Sequence, residues 1–241
     1  MIPDEARRLW CTLAAEKDAL HPATTTVVHG SRGIAPEGWT GVVRLGDAYL
    51  IEAGDADAAA LDLLRNLDDP SDPEQVSSAL RPARTLGPGE LAYLPAGAEV
   101  AEVVCGGELR EVPVASIRGW LDWLPEGDVE ESSVVAMDRV LVLCRGDEVL
   151  GAAGHLDWPA GIGHVGVLVA PAARGQGVGR CLGAAATRRV LDSGRTPQWR
   201  AAAWNAASRR VARRVGYREM GRQFSFQLGS RHTDEQIGRD G

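Results

Sequence analysis

The 241-residue chain lacks any apolar run of the roughly 18–20 residues that a membrane-spanning helix needs. The longest candidate, Pro159 to Ala173, is too short and is broken by Gly161, Gly163, His164 and Gly166. The opening stretch MIPDEARRLWCTLAAEKDAL carries Asp4, Glu5 and Arg7 where a secretory signal would need an unbroken apolar core. A cytoplasmic protein without membrane partners is therefore expected. Cysteine is scarce and dispersed: Cys11, Cys105, Cys144 and Cys181 form no C-x-x-C pair and read as four reduced, mostly buried thiols. The five histidines form no H-x-x-x-H or H-E-x-x-H pattern, so no metal site is expected. Lysine is almost absent, with Lys17 the single example among 26 basic residues.

What remains is the composition of a globular protein, 44% apolar and 24% charged, long enough for one large domain or two ordinary ones. The net charge of −7 conceals a division. Residues 1–173 carry 28 acids against 12 bases, whereas residues 174–241 carry 14 arginines against 5 acids. Genomic bias explains arginine in place of lysine, but it does not explain where the positive charge sits. The carboxyl-terminal third is thus expected to meet an anion. Nucleic acid is not the expected partner, because no aromatic platform or reading helix accompanies the arginines.

Periodicity predicts a helix over 4–20, strands about a Gly46-Asp47 turn, helices over DADAAALDLLRNL and PEQVSSAL, and strands within LGPGELAYLPAGAEVAEVVCGGEL. Asp55 or Asp57 is suited to cap the first of these inner helices, and Pro73 to begin the second. This half contains no catalytic motif. From residue 115 the pattern is a short helix in SIRGWLDWLP, a hairpin at Gly146-Asp147, the strand GIGHVGVLVA, a helix over 178–193, the strand QWRAAAW, a helix closed by Gly216 and a final hairpin in GYREMGRQFSFQL. Such an order predicts an α/β sandwich with a mixed sheet. The divisions expected are an amino-terminal α/β domain over 1–114, a second domain over 115–229 and a polar tail over 230–241.

The segment VLVAPAARGQGVGR places Gly175, Gly177 and Gly179 between Arg174 and Arg180, just before a helix. A P-loop requires a lysine that is not there, and a dinucleotide fingerprint requires glycine where Arg180 stands. The surviving pattern is R-x-x-G-x-G. It leaves successive backbone N–H groups unshielded at a helix start, where the helix dipole favours a phosphate.

VGVLVAPAARGQGVGR resembles the coenzyme A-binding motif of the GNAT superfamily of N-acetyltransferases. WRAAAWNAASRRVARRVGY resembles the next motif of that family, and together the likeness covers roughly residues 132–228. The resemblance implies a GNAT-like acyl-CoA N-acyltransferase fold, preceded by an additional α/β domain that is open to being a degenerate copy of it. It implies that the amides of Arg174, Gly175, Gln176, Gly177, Val178 and Gly179, with Arg180 at the rim, hold the pyrophosphate of acetyl-CoA. Val167, Leu168 and Val169 would pair with the pantetheine arm in a split beside the strand at 199–204, and Asn205 and Ser208 would complete the coenzyme site.

The implied reaction is direct attack of a primary amine on the thioester, with a small-molecule amine as partner and no metal. On that basis His164 is the first candidate base, and His155 and Asp157 are the second. Relatives often carry a tyrosine four residues before the Gly-aromatic pair as general acid; this chain has Ala212 there, which leaves Ser208 or water. The acidic first half suggests a cationic acceptor. Alternatives are a non-catalytic acyl-CoA-binding module and an acetyltransferase acting on protein amino termini or lysines. A homodimer is left open.

Overall fold

The computed structural model describes residues 1–30, 33–100 and 102–229; the tail expected over 230–241 lies outside the described residues. Among the described residues, ten strands form one mixed sheet: β1 (Thr25–Val28), β2 (Thr40–Leu45), β3 (Ala48–Glu52), β4 (Arg84–Tyr93), β5 (Glu108–Pro113), β6 (Arg139–Arg145), β7 (Glu148–Trp158), β8 (Ile162–Val169), β9 (Thr196–Ala202) and β10 (Arg218–Gln227). Their spatial order is β1-β3-β2-β10-β4-β9-β8-β7-β6-β5. Two neighbouring pairs, β1–β3 and β8–β9, run parallel. The α/β class with a mixed sheet is as the sequence pattern requires, with extra strands and helices ahead of the carboxyl-terminal half.

The sheet runs without interruption across residue 114. β10, from the end of the chain, pairs on one side with β2 and on the other with β4, both from the first half. Its segment was expected to be a hairpin and is a single strand. Gly221 sits inside it because a Cβ there would come 2.3 Å from the Arg44 carbonyl oxygen, so glycine marks a close strand approach and not a turn.

Among the described residues, seven α-helices cover the two faces: α1 (Asp4–Ala14), α2 (Ala58–Arg65), α3 (Pro73–Leu80), α4 (Arg118–Leu121), α5 (Glu126–Ser132), α6 (Val178–Asp192) and α7 (Ala206–Val215). The caps follow the sequence signals. Asp57 accepts the Ala60 N–H at 2.8 Å, and Asp72 caps α3 with Pro73 in its first turn. The first helix is shorter than its periodicity suggested, because Ala15 turns left-handed and its N–H returns to Thr12.

One face of the β6–β9 region packs on α6 and α7 through Leu143, Val165, Trp199, Leu182, Val190 and Val215. On the opposite face α1 packs Leu9 and Trp10 against Leu45, Leu50, Leu91 and Tyr93. The segment around α5 covers Val140, Val142 and Leu168 on that same opposite face.

The expectation of four reduced thiols requires correction. Cys105 and Cys181 form a disulfide with a Cα–Cα distance of 5.6 Å; Cys11 and Cys144 are free. The residues flanking Cys105, including Ala98, Val100 and Val103, pack against the α6 core cluster and carry its sulfur to the first turns of α6. A separation of 76 residues gives no local signal for such a bond.

Candidate active site

β8 and β9 begin as an ordinary parallel pair, with registers Ile162–Thr196, Gly163–Pro197, His164–Gln198 and Val165–Trp199. The pairing then stops. Gly166 to Val169 stay bonded to β7 on one side, and Arg200 to Ala202 stay in register with β4 on the other. The two strands have therefore parted, and backbone groups along the inner edges of the opening are available to an extended ligand. Val167, Leu168 and Val169 all lie on this edge.

The β8 side of the split leads along the chain into the glycine segment. Gly175 and Gly177 have φ of +78° and +84°, which glycine adopts without the penalty other residues incur. Gly177 is the N-cap of α6 and supplies no side chain, so no hydroxyl or carboxylate occupies the helix start. Cys181 is the first α6 residue whose N–H returns to the turn, at 3.1 Å to Gly177 O. The amides of Val178, Gly179 and Arg180 thus precede the helical ladder and point outward with the dipole behind them. Gln176 is held by its Nε2, which donates to Ala172 O at 2.8 Å, and by Arg145, which donates to its Oε1 at 3.4 Å. This loop and this split form one continuous track.

Part of the track is occupied by α5, a helix the sequence pattern did not reveal. Asp128 pairs with Arg174, and both Glu131 oxygens accept from Asn205 Nδ2 at 3.0 Å. Glu131 also reaches the Ala202 N–H at 3.4 Å, so its carboxylate lies across the open end of the split. The helix is seated on β8 at Gly166, where a Cβ would come 2.1 Å from Ser132 O. Two carboxylates therefore stand where an anionic ligand would bind. Each is an exposed contact contributing about 0.2–1 kcal/mol. The double change Asp128→Asn, Glu131→Gln should therefore tighten acetyl-CoA binding about fivefold by titration calorimetry; unchanged or weaker binding would show that the carboxylates do not compete.

Comparison with known proteins identifies the region. Residues 118–217 match the model of the acetyltransferase (GNAT) family. Over these residues, about two fifths of the chain, the protein is similar to a GNAT acetyltransferase. No curated protein matches the chain in sequence. Among solved structures, a GNAT-family acetyltransferase from Colwellia psychrerythraea is similar at 12% identity over 65% of this chain and 61% of that one, with a TM-score of 0.49. A Salmonella typhimurium putative acetyltransferase solved with its cofactor acetyl-CoA is similar at 22% identity over 49% and 78%, with a TM-score of 0.33. A tandem GNAT protein from the clavulanic acid biosynthesis pathway shares 16% identity over 67% and 60%, with a TM-score of 0.41. The chain spans about three fifths of the length of the first and third of these.

Within and beside the matched region, the candidate residues fall into separate places. Asn205 caps α7, its oxygen accepting the Ser208 N–H at 3.0 Å while its amide serves Glu131. Ser208 Oγ accepts from Trp199 Nε1 at 3.0 Å, which leaves the hydroxyl proton free to donate elsewhere. Ala212 is buried in the core. Tyr217 is also core: its hydroxyl meets Thr187 at 2.9 Å and burial pushes its pKa upward. Arg209 is committed to Glu219 and to Ala203 O, and Arg213 also lies beside Glu219. His155 and Asp157 alternate onto the face opposite His164, where Asp157 meets Arg195 at 2.8 Å. Among the described residues no group of three or more potential ligands could hold a metal, and no helix is long and apolar enough to cross a membrane.

His164 stands one residue before the strands part. It is 7% exposed, stacks on Trp158 at 4.7 Å, and its Nδ1 has no partner. Burial, with help from the Arg200 charge, lowers its pKa to about 4, against a smaller opposing effect of Gln198. The imidazole is neutral at pH 7. Because the folded value lies below the ordinary 6.5, its contribution to stability is complete above 6.5 and is lost as pH falls toward 4. Between pH 7 and 5 the loss should be about 2 kcal/mol. Urea melts should show that loss in the wild type and its reduction in His164→Phe; equal slopes in both would remove His164 as the cause.

Proposed function

We propose that the chain transfers an acetyl group from acetyl-CoA to a primary amine. The single observation that carries this reading is the continuity of the open β8–β9 edge with the uncapped α6 start. An extended arm ending in a pyrophosphate fits that track. Arg174, Arg180 and the amides from Gly175 to Gly179 would take the phosphates, and the edges of Val167 to Val169 would take the arm. The thioester then lies toward the point where the strands part.

The amine nitrogen bonds to the carbonyl carbon, the carbon–sulfur bond breaks, the nitrogen loses a proton, and the thiolate gains one. Inner-edge N–H groups of β8 supply the electrostatic stabilisation that such an oxygen needs. With a pKa near 4, His164 takes up protons weakly near neutrality. The amine is better suited to enter already neutral, with water or the free Ser208 proton meeting the thiolate. The missing tyrosine, replaced by Ala212, favours one second reading: coenzyme binding without turnover.

The test is thiol release from acetyl-CoA against a broad panel of primary amines, with mass detection of the acetylated product. Release coupled to product supports the transferase. Tight coenzyme binding with no release across the panel supports the binding module instead.

A further inference from the structure

A cavity of about 410 Å³ lies apart from the coenzyme track, and its charged lining is Arg44, Arg209, Arg222, Glu90 and Glu219. None of its lining residues belongs to β8, β9 or the glycine segment. Strand register sets a row of side chains across it. Tyr49 of β3 stands opposite Arg44 of β2, Arg44 opposite Arg222 of β10, and Arg222 opposite Glu90 of β4. Cross-strand partners share a face, so the row points one way. A bulge at Met220 sets this register, because Glu219 pairs with Ala92 and Gly221 with the next β4 residue, Leu91. α7 brings Arg209 to the same cavity.

The row sets two like charges directly opposite each other, which destabilises a sheet. Arg222 is answered: the buried Glu90 accepts from its Nε at 3.0 Å and from its Nη2 at 2.8 Å. Arg209 is answered too, since both Glu219 oxygens accept from it at 2.8 Å. Arg44 has no such answer. Its Nη1 lies 3.6 Å from Asp69 Oδ2, beyond hydrogen-bond distance, and its Nε is buried without a hydrogen-bond partner. The other Asp69 oxygen is taken by Ser71. The Arg44 and Arg222 side chains are only 31% and 24% exposed, so salt screens their repulsion less than at an open surface. Three guanidiniums against two carboxylates leave the lining with positive charge in surplus.

We propose that this cavity binds a compact oxyanion, a phosphate or a carboxylate, clamped between Arg44 and Arg222. A guanidinium carries five N–H donors, and Glu90 uses two of those on Arg222. The planar forks suit the paired oxygens of either group, and an anion between them replaces one repulsion with two attractions. The occupant joins β2 of the first half to β10 of the second. This site does not depend on the acetyl-transfer reading.

The test titrates inorganic phosphate and acetate into the full chain by calorimetry, in low-salt buffer free of other oxyanions, with and without saturating acetyl-CoA. At least one probe should bind with a dissociation constant below about 1 mM, and acetyl-CoA should leave that value unchanged. Arg44→Gln should weaken binding by about tenfold or more and Arg44→Lys by less, with acetyl-CoA affinity unchanged in both. The bound probe should raise the melting temperature of the wild type and not that of Arg44→Gln. Preference for phosphate over acetate, or the reverse, names the group. Binding of neither probe below about 1 mM, or binding that survives Arg44→Gln, overturns the proposal. Competition between the probe and acetyl-CoA places the anion in the coenzyme track and overturns it as well. Where Arg44→Gln fails to fold by its melting curve, Arg44→Lys decides alone, and unchanged binding there overturns the proposal.

Discussion

Gly177→Val should weaken acetyl-CoA binding about 100-fold, near 2.7 kcal/mol, while leaving the fold intact. The reasoning separates two effects. At φ of +84° a β-branched residue is strained by about 1–2 kcal/mol, which for a chain of this size lowers the melting temperature by about 5 °C. No heavy atom lies within 4 Å of a Cβ built at Gly177, so the protein itself has no clash to relieve. The added side chain instead fills the space in front of the α6 amides, where several charge-assisted bonds to phosphate would form. Calorimetric titration together with a melting curve separates lost binding from lost fold. A variant that melts normally and binds as the wild type does would show that the phosphates sit elsewhere.

Removing the disulfide by Cys105→Ala should cost about 4 kcal/mol. Closing a loop over 76 residues restricts the unfolded chain strongly, and the chain-entropy estimate for such a loop is about that size. The melting temperature should fall by about 8 °C, with a similar fall on adding a reductant to the wild type. A reductant that leaves the wild-type melting curve unchanged would show that the bond is absent in solution. Because Cys181 lies one turn into α6, the variant also reports on the glycine loop; its coenzyme affinity should change less than its stability.

Much of the fold was legible because local rules were obeyed. Asp57, Pro73, Gly146-Asp147, Asn205 and Gly216 mark element ends where capping and turn chemistry place them. The glycine segment was legible for the same reason: Gly175 and Gly177 carry positive φ just before α6. What stayed hidden depends on partners distant in the chain. Gly221 looked like a turn because nothing local shows that Arg44 backbone passes beside it. The Cys105–Cys181 bond and the insertion of β10 between β2 and β4 are tertiary choices without a periodic signature. The seven-residue α5 is too short for an amphipathic pattern, so Asp128 and Glu131 carried no signal in the sequence.

The central claim is that acetyl-CoA lies along the open β8 edge and across the start of α6. Amide hydrogen exchange of the wild-type protein with and without acetyl-CoA tests it most directly. The account predicts added protection concentrated at Val167 to Val169 and at Gly175 to Arg180, with little change in α1. Unchanged exchange at both segments under saturating acetyl-CoA, or protection centred on the separate cavity of about 710 Å³ lined by Arg8, Cys11, Thr12 and Ala160, would contradict it.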